Sequence, residues 1–130
     1  MLKKSISYTD YNGVERTEDF YFNINKAELM ELELGTEGGI TQKINRLSQT
    51  LNGPEIMKLF KDIITLAVCD KSPDGRRLIK NKDVAEGFLQ TEAYSILLME
   101  LISDPDKAAD FIKAILPAVE TPSIPAPPVN

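Results

Sequence analysis

Hydrophobic residues recur at every second position near the start of the chain, and at every third or fourth position after residue 25. Ile6 and Tyr8 alternate with polar neighbours, and Phe20, Phe22 and Ile24 are spaced by two. Such alternation marks a strand with one buried face. Asn12-Gly13 lies between the two sets and suits a hairpin turn. Residues 2–24 therefore predict a β-hairpin. A two-residue turn at Asn12-Gly13 would pair Ser5 with Phe20 and Ile6 with Asp19, leaving the apolar sets on opposite faces. Shifting the register by one residue removes that conflict. Ile6 then lies opposite Phe20, Tyr8 opposite Glu18 and Asp10 opposite Arg16. The expected loop is odd in length, with Gly13 in the left-handed region as a bulge. A lone hairpin is marginal in water, so its apolar face must lie on helices or on another subunit.

From residue 25 the helical period takes over. Asn25 followed by Glu28 has the spacing of a capping box and opens a short helix to about Leu34, stopped by Gly35. Ile40, Ile44, Leu47 and Leu51 share one face of a second helix, after a loop at Gly38-Gly39. Pro54 suits the first turn of a third, which carries Ile56, Met57, Phe60, Ile63, Ile64, Ala67 and Val68. Ser72-Pro73-Asp74-Gly75 is a turn signature inside a polar connection over 70–80, and 76–80 allows a short extended piece. A further helix from Asn81 or Lys82 carries Val84, Ala85, Phe88 and Leu89, and Thr91 can cap a new start. Tyr94, Leu97, Leu98, Leu101 and Ile102 continue the apolar face. Asp104-Pro105 pairs a cap with a proline before the last helix, with Ala108, Phe111, Ile112, Ile115 and Leu116. The prediction is an α+β fold. An N-terminal β-hairpin (2–24) packs on about five α-helices (25–117) in a single domain over 1–117, followed by a disordered, Pro-rich C-terminal tail over 118–130.

Composition narrows the chemistry. With 130 residues the chain can bury an ordinary core. Fifteen Lys and Arg against twenty Asp and Glu give a net charge of −5, which disfavours nucleic-acid binding and a polybasic membrane-surface role. A signal peptide and a membrane span are not expected, because apolar runs are short. The single cysteine, Cys69, rules out an internal disulfide and points to the cytoplasm.

No histidine is present, so Ser-His and Cys-His nucleophile pairs and the usual zinc ligand set are impossible. Cys69, at the end of an apolar helical stripe, reads as a small core residue. Asp104, Asp106 and Asp110 crowd one helix start, where carboxylates complement the dipole. Glu28, Glu31 and Glu33 read as a solvated face. The spacing from Asp70 to Gly75 does not fit a calcium loop, and Gly35, Gly38 and Gly39 fit no phosphate loop. Lys71, Arg76, Arg77, Lys80 and Lys82 form the one basic cluster and read as a solvated loop. The prolines at 122, 125, 127 and 128 read as a spacer. Thus no catalytic, cofactor-binding or metal site is expected, and binding to other proteins is the expected work.

Residues Lys4–Glu33, the loop Lys71–Lys80, the run Phe88–Leu101 and the segment Asp106–Ile112 resemble, in their overall wording, the tail assembly chaperones of long non-contractile-tailed phages, particularly those of Gram-positive hosts. The similarity covers most of 3–116. It implies a non-catalytic factor in the host cytoplasm, absent from the mature virion. Such a factor binds the helical tape measure protein and helps recruit tail tube protein subunits. Many of these proteins are made in two lengths by a ribosomal frameshift, and the proline-rich end would suit a short form. The alternative is a structural tail component retained in the virion. A chaperone needs apolar surface beyond its own core. The hairpin has two free edges that can pair with another chain, which allows self-association. The candidate exposed contacts are Tyr11, Phe20, Phe22, Tyr94 and Leu98, set against the commoner fate of large apolar side chains, burial in the core.

Overall fold

The computed structural model describes residues 1–35, 39, 42, 43, 46 and 53–117. Strand β1 (Leu2–Thr9) and strand β2 (Glu15–Phe22) form the expected hairpin. Helix α1 spans Lys26–Gly35 and helix α2 spans Gly53–Ala67. Two further strands follow, β3 (Val68–Lys71) and β4 (Leu78–Ile79). Helices α3 (Lys82–Leu89), α4 (Glu92–Ser103) and α5 (Pro105–Ile115) complete the described chain. The helix expected over 40–51 lies mostly outside the described residues, and the tail over 118–130 lies wholly outside them.

The hairpin loop has the predicted odd length, and Gly13 has φ 81°. Its centre corrects the predicted register. Lys4 lies opposite Phe20, Ile6 opposite Glu18 and Tyr8 opposite Arg16, two residues from the expected pairs. The cause is Asp10. Its backbone N–H donates to the Val14 carbonyl at 2.8 Å and its carbonyl accepts from Gly13 N–H at 2.9 Å. Its carboxylate accepts from the N–H groups of Asn12 and Val14, at 2.9 and 3.0 Å. These bonds close the loop around Asn12. A shift of two residues preserves the faces, so two of the expected pairs survive as diagonal contacts. The Tyr8 hydroxyl donates to Glu18 and the Arg16 guanidinium donates to Asp10 at 2.6 Å.

The sheet is larger than predicted, with four antiparallel strands in the order β1-β2-β3-β4. Val68 and Cys69 leave the helical period after Ala67 and pair with Phe22 and Tyr21. Sequence periodicity placed both at a helix end, but the free N–H and C=O groups of β2 offered a ladder instead. Asn23 N–H donates to the Ala67 carbonyl at 2.8 Å and starts that pairing. One of the two hairpin edges expected to be free is therefore occupied. The turn at 72–75 connects β3 to β4, with Gly75 at φ 75°. Ser72, buried within it, donates to Asp74 and accepts from Arg77 N–H.

Sequence caps set the helix starts. Asn25 and Glu28 exchange side-chain-to-backbone bonds at 2.9 and 3.0 Å, the reciprocal capping box. Asn81 accepts from Val84 N–H, and Thr91 from Tyr94 N–H. Asp104 accepts from Asp106 and Lys107 N–H. The even-numbered side chains of the hairpin face the helices, with Ile6 and Phe22 buried. Lys3, Ser5, Ser7 and Thr9 line an outer, polar face. Helices α4 and α5 lie on β1, and α2 lies on β2. Phe22, fully buried, meets Phe88 of α3 and Phe111 of α5 edge-on, at ring distances of 5.6 and 5.4 Å. In α2, Leu59 is buried while Met57 is 46% exposed, which corrects the stripe read from the sequence.

Phe22→Ala should lower unfolding free energy by about 3–5 kcal/mol, since the cavity left under three elements cannot collapse. Gly13→Ala should cost only about 1–2 kcal/mol, from left-handed strain alone, because an added Cβ meets nothing within 4 Å. Urea denaturation of the two variants measures both. Acid should also destabilise the fold. The Arg16 guanidinium, then the Val14 N–H, hold the Asp10 carboxyl below its ordinary value of 3.8. The Ser72 hydroxyl, then the Arg76 N–H, do the same for Asp74. A depressed carboxyl contributes stability that is fully present above its unfolded value and is lost as pH falls through the folded one. Melting temperature should therefore drop below about pH 4, and the drop should be shallower in Asp10→Asn.

Candidate functional site

Helix α4 is apolar on nearly every side. Tyr94, Ile96, Leu97, Leu98, Met99, Leu101 and Ile102 occupy seven of its twelve positions. Ala93, Leu97, Leu98 and Leu101 are buried against β1, α2 and α5. The opposite side carries Ile96, 42% exposed, and Met99, 59% exposed. These follow Glu92 by four and seven residues, so all three lie on one face, about 10 Å long. The hairpin loop extends that face. The Tyr11 hydroxyl donates to Glu92 at 3.4 Å while the side chain remains 76% exposed. Val14 of the same loop is also exposed. Single exposed apolar residues are ordinary. Here they form a line, on a helix whose composition would suit burial all round. Met99 adds a flexible thioether that adapts to a partner's shape.

Four of the five contact residues expected from the sequence lie wholly or partly in the core. Phe22 and Leu98 are buried, which removes them as surface contacts. Each sits where a sheet face or helix face meets two other elements. Phe20 is half-buried on Phe88 at 5.0 Å, and Tyr94 is half-buried on Phe88 at 6.0 Å, where desolvation raises the Tyr94 phenol pKa. Of the five, Tyr11 alone is exposed. The sequence reading missed Ile96 and Met99. Their signal was the unbroken run Ile96-Leu97-Leu98-Met99: four consecutive helical residues point in four directions, and one core cannot receive them all.

Other candidate chemistry is absorbed by structure. Lys80 donates to the Asn23 carbonyl at 2.5 Å and to Glu28 at 2.7 Å, so Glu28 is held in an ion pair and a cap rather than lying on a solvated face. Lys71 lies 5.9 Å over the Tyr21 ring, and Lys82 is 3.9 Å from Glu86. The basic cluster of the sequence is thus dispersed. Cys69 belongs to β3 rather than to a helix end, and burial pushes its thiol pKa up, away from a reactive thiolate. A cleft of about 330 Å³ opens beside β1, lined by Leu2, Lys4, Glu100, Lys107 and Phe111 among others. Its Glu100 is held by Lys4 at 3.0 Å and Lys107 at 3.6 Å. A second cleft, about 280 Å³, lies between α1 and Leu66 of α2. Among the described residues, no group of three His, Cys, Asp or Glu is placed to hold a metal ion, and no helix is long and apolar enough to cross a membrane. The arrangement offers an apolar contact surface, with the Tyr11–Glu92 hydrogen bond at one end of it.

Comparison with known proteins agrees with a binding role. Neither a curated protein nor a solved structure matches the chain. A family model described as phage tail assembly chaperone matches residues 1–121, which takes in the hairpin, every described helix and the line from Tyr11 to Met99. The chain belongs to the phage tail assembly chaperone family.

Proposed function

We propose that this chaperone binds the tape measure protein and helps recruit tail tube subunits around it, without catalysing a reaction. It acts in the host cytoplasm and is left out of the finished virion. The observation that carries the reading is the exposed apolar line of Tyr11, Ile96 and Met99. A long helical client presents apolar residues at three- and four-residue spacing, and a line of the same spacing on α4 is its counterpart. The net charge of −5 keeps such a surface in solution while it is uncovered. Family membership supports a part in tail assembly, and the exposed line supports a contact through α4.

Co-expression with the tape measure protein of the same genome should give a complex that co-purifies and more soluble tape measure protein. Ile96→Asp with Met99→Asp should cut the recovered complex by roughly tenfold or more, as expected for two central apolar contacts, with melting temperature unchanged. Absence of a complex with the unaltered chain would remove the proposal. Mass spectrometry of purified virions should not find the chain. Stoichiometric presence there would instead make it a structural part of the tail.

A further inference from the structure

Among the described residues the sheet has two edges, the two-residue β4 and the long β1. In the order β1-β2-β3-β4, strand β1 is terminal and pairs on one side only. It is eight residues long, Leu2 to Thr9, and pairs with β2 without a bulge; it contains no proline. Natural edges of that length are normally blunted by such devices. Here the only ones are Lys3 and Lys4, both at one end.

Hydrogen-bond parity shows which groups face outward. The Asp10–Val14 pair is bonded at the loop. In an antiparallel ladder bonded and non-bonded pairs alternate, so Tyr8, Ile6, Lys4 and Leu2 bond to β2. Lys3, Ser5, Ser7 and Thr9 then aim their N–H and C=O groups away from the sheet. The side-chain bond between Ser7 and Thr17, at 2.9 Å, fits a closely spaced non-bonded pair.

We propose that the outer edge of β1 pairs antiparallel with β1 of a second copy, about a two-fold axis at Ile6. This joins the two four-stranded sheets into one. The register is self-complementary. Lys3 lies opposite Thr9 of the second copy and Ser5 opposite its Ser7, and these pairs carry the new ladder bonds. Lys4 lies opposite Tyr8 of the second copy. Outward-bonding residues meet outward-bonding residues, and the apolar face of one sheet continues into that of the other. Charge favours the same alignment. The Lys3-Lys4 end of one copy approaches the hairpin-loop end of the other, where Asp10, Glu15 and Glu18 outnumber Arg16. The lysines, which would repel in a parallel pairing, are kept apart. A two-fold contact of this kind closes on itself and stops at a dimer. It does not depend on which tail protein the client is.

Light scattering after size exclusion, over a range of concentrations, should give the full chain a mass near twice its 14.5 kDa. Ser7→Pro removes an outward N–H that the proposal uses and β2 does not. It should weaken the dimer by more than roughly tenfold, since the symmetric pairing loses that bond twice, while circular dichroism stays that of the folded chain. A chain that is monomeric at every concentration would overturn the proposal, as would a dimer that Ser7→Pro leaves intact. A cross-link keeps the test independent of that variant's folding. Ser5→Cys and Ser7→Cys proteins, mixed and mildly oxidised, should form a mixed disulfide in higher yield than either alone, because bonded pairs sit about 5.5 Å apart at Cα. Cys69, 2% exposed with its thiol pKa raised, competes poorly. Preferential linking of Ser5→Cys to itself would overturn the axis at Ile6, and no linking above background would overturn the edge pairing.

Discussion

The burial of Phe22 is the contact on which the rest of the molecule depends. Its ring lies between Phe88 of α3 and Phe111 of α5, and its backbone pairs with both Leu2 of β1 and Val68 of β3. One residue thus joins two neighbouring strands and two helices. Just beyond it, Ile24 N–H donates to the Ile115 carbonyl at 2.8 Å, which fixes the end of α5 against the end of the sheet. Phe20 and Tyr94 extend the aromatic contacts around Phe88. Aromatic pairs at these separations add directional preference to area burial. The helices are therefore held at set angles on the sheet, not merely pressed against it.

That packing leaves a one-sided molecule. The helices cover the even-numbered face of the hairpin, and the other face carries Lys3, Ser5, Ser7 and Thr9 on β1 with Glu15, Thr17 and Asp19 on β2. Apart from Tyr21, half-buried on that face with Lys71 over its ring, these side chains are polar and meet water. The apolar surplus lies instead on the helical side, where α4 has more apolar surface than β1, α2 and α5 can receive. Ile96 and Met99 are the surplus, and Tyr11 joins them because the hairpin loop reaches the start of α4. An assembly chaperone needs surplus of this kind, held on a frame that does not itself collapse onto it.

Several errors of sequence reasoning share a cause. The hairpin register was shifted by two because Asp10 satisfies two loop N–H groups with its side chain, and alternation of apolar residues is blind to a shift of two. Val68 and Cys69 continue a helical stripe in the sequence, yet the open side of β2 draws them into a strand. Leu98 and Met99 are neighbours of similar character, and only the position of β1 and the other helices decides which is buried. In each case a distant group, rather than the local pattern, made the choice.

What the sequence determined by itself is the local grammar. The capping pairs Asn25–Glu28 and Asp104-Pro105, the starts at Asn81 and Thr91, the left-handed Gly13 and the turn at 72–75 all follow from side chains that satisfy nearby backbone groups. Those bonds span only a few residues and are readable in order along the chain. The missing histidine and lone cysteine likewise limited the chemistry before any fold was known. The tertiary structure alone decided the third strand, the joining of the short extended piece at 78–79 to it, the inward turn of Lys80 onto Glu28, and which apolar side chains of α4 remain outside. Burial is a property of what lies across from a residue, and those partners are brought together only when the chain folds.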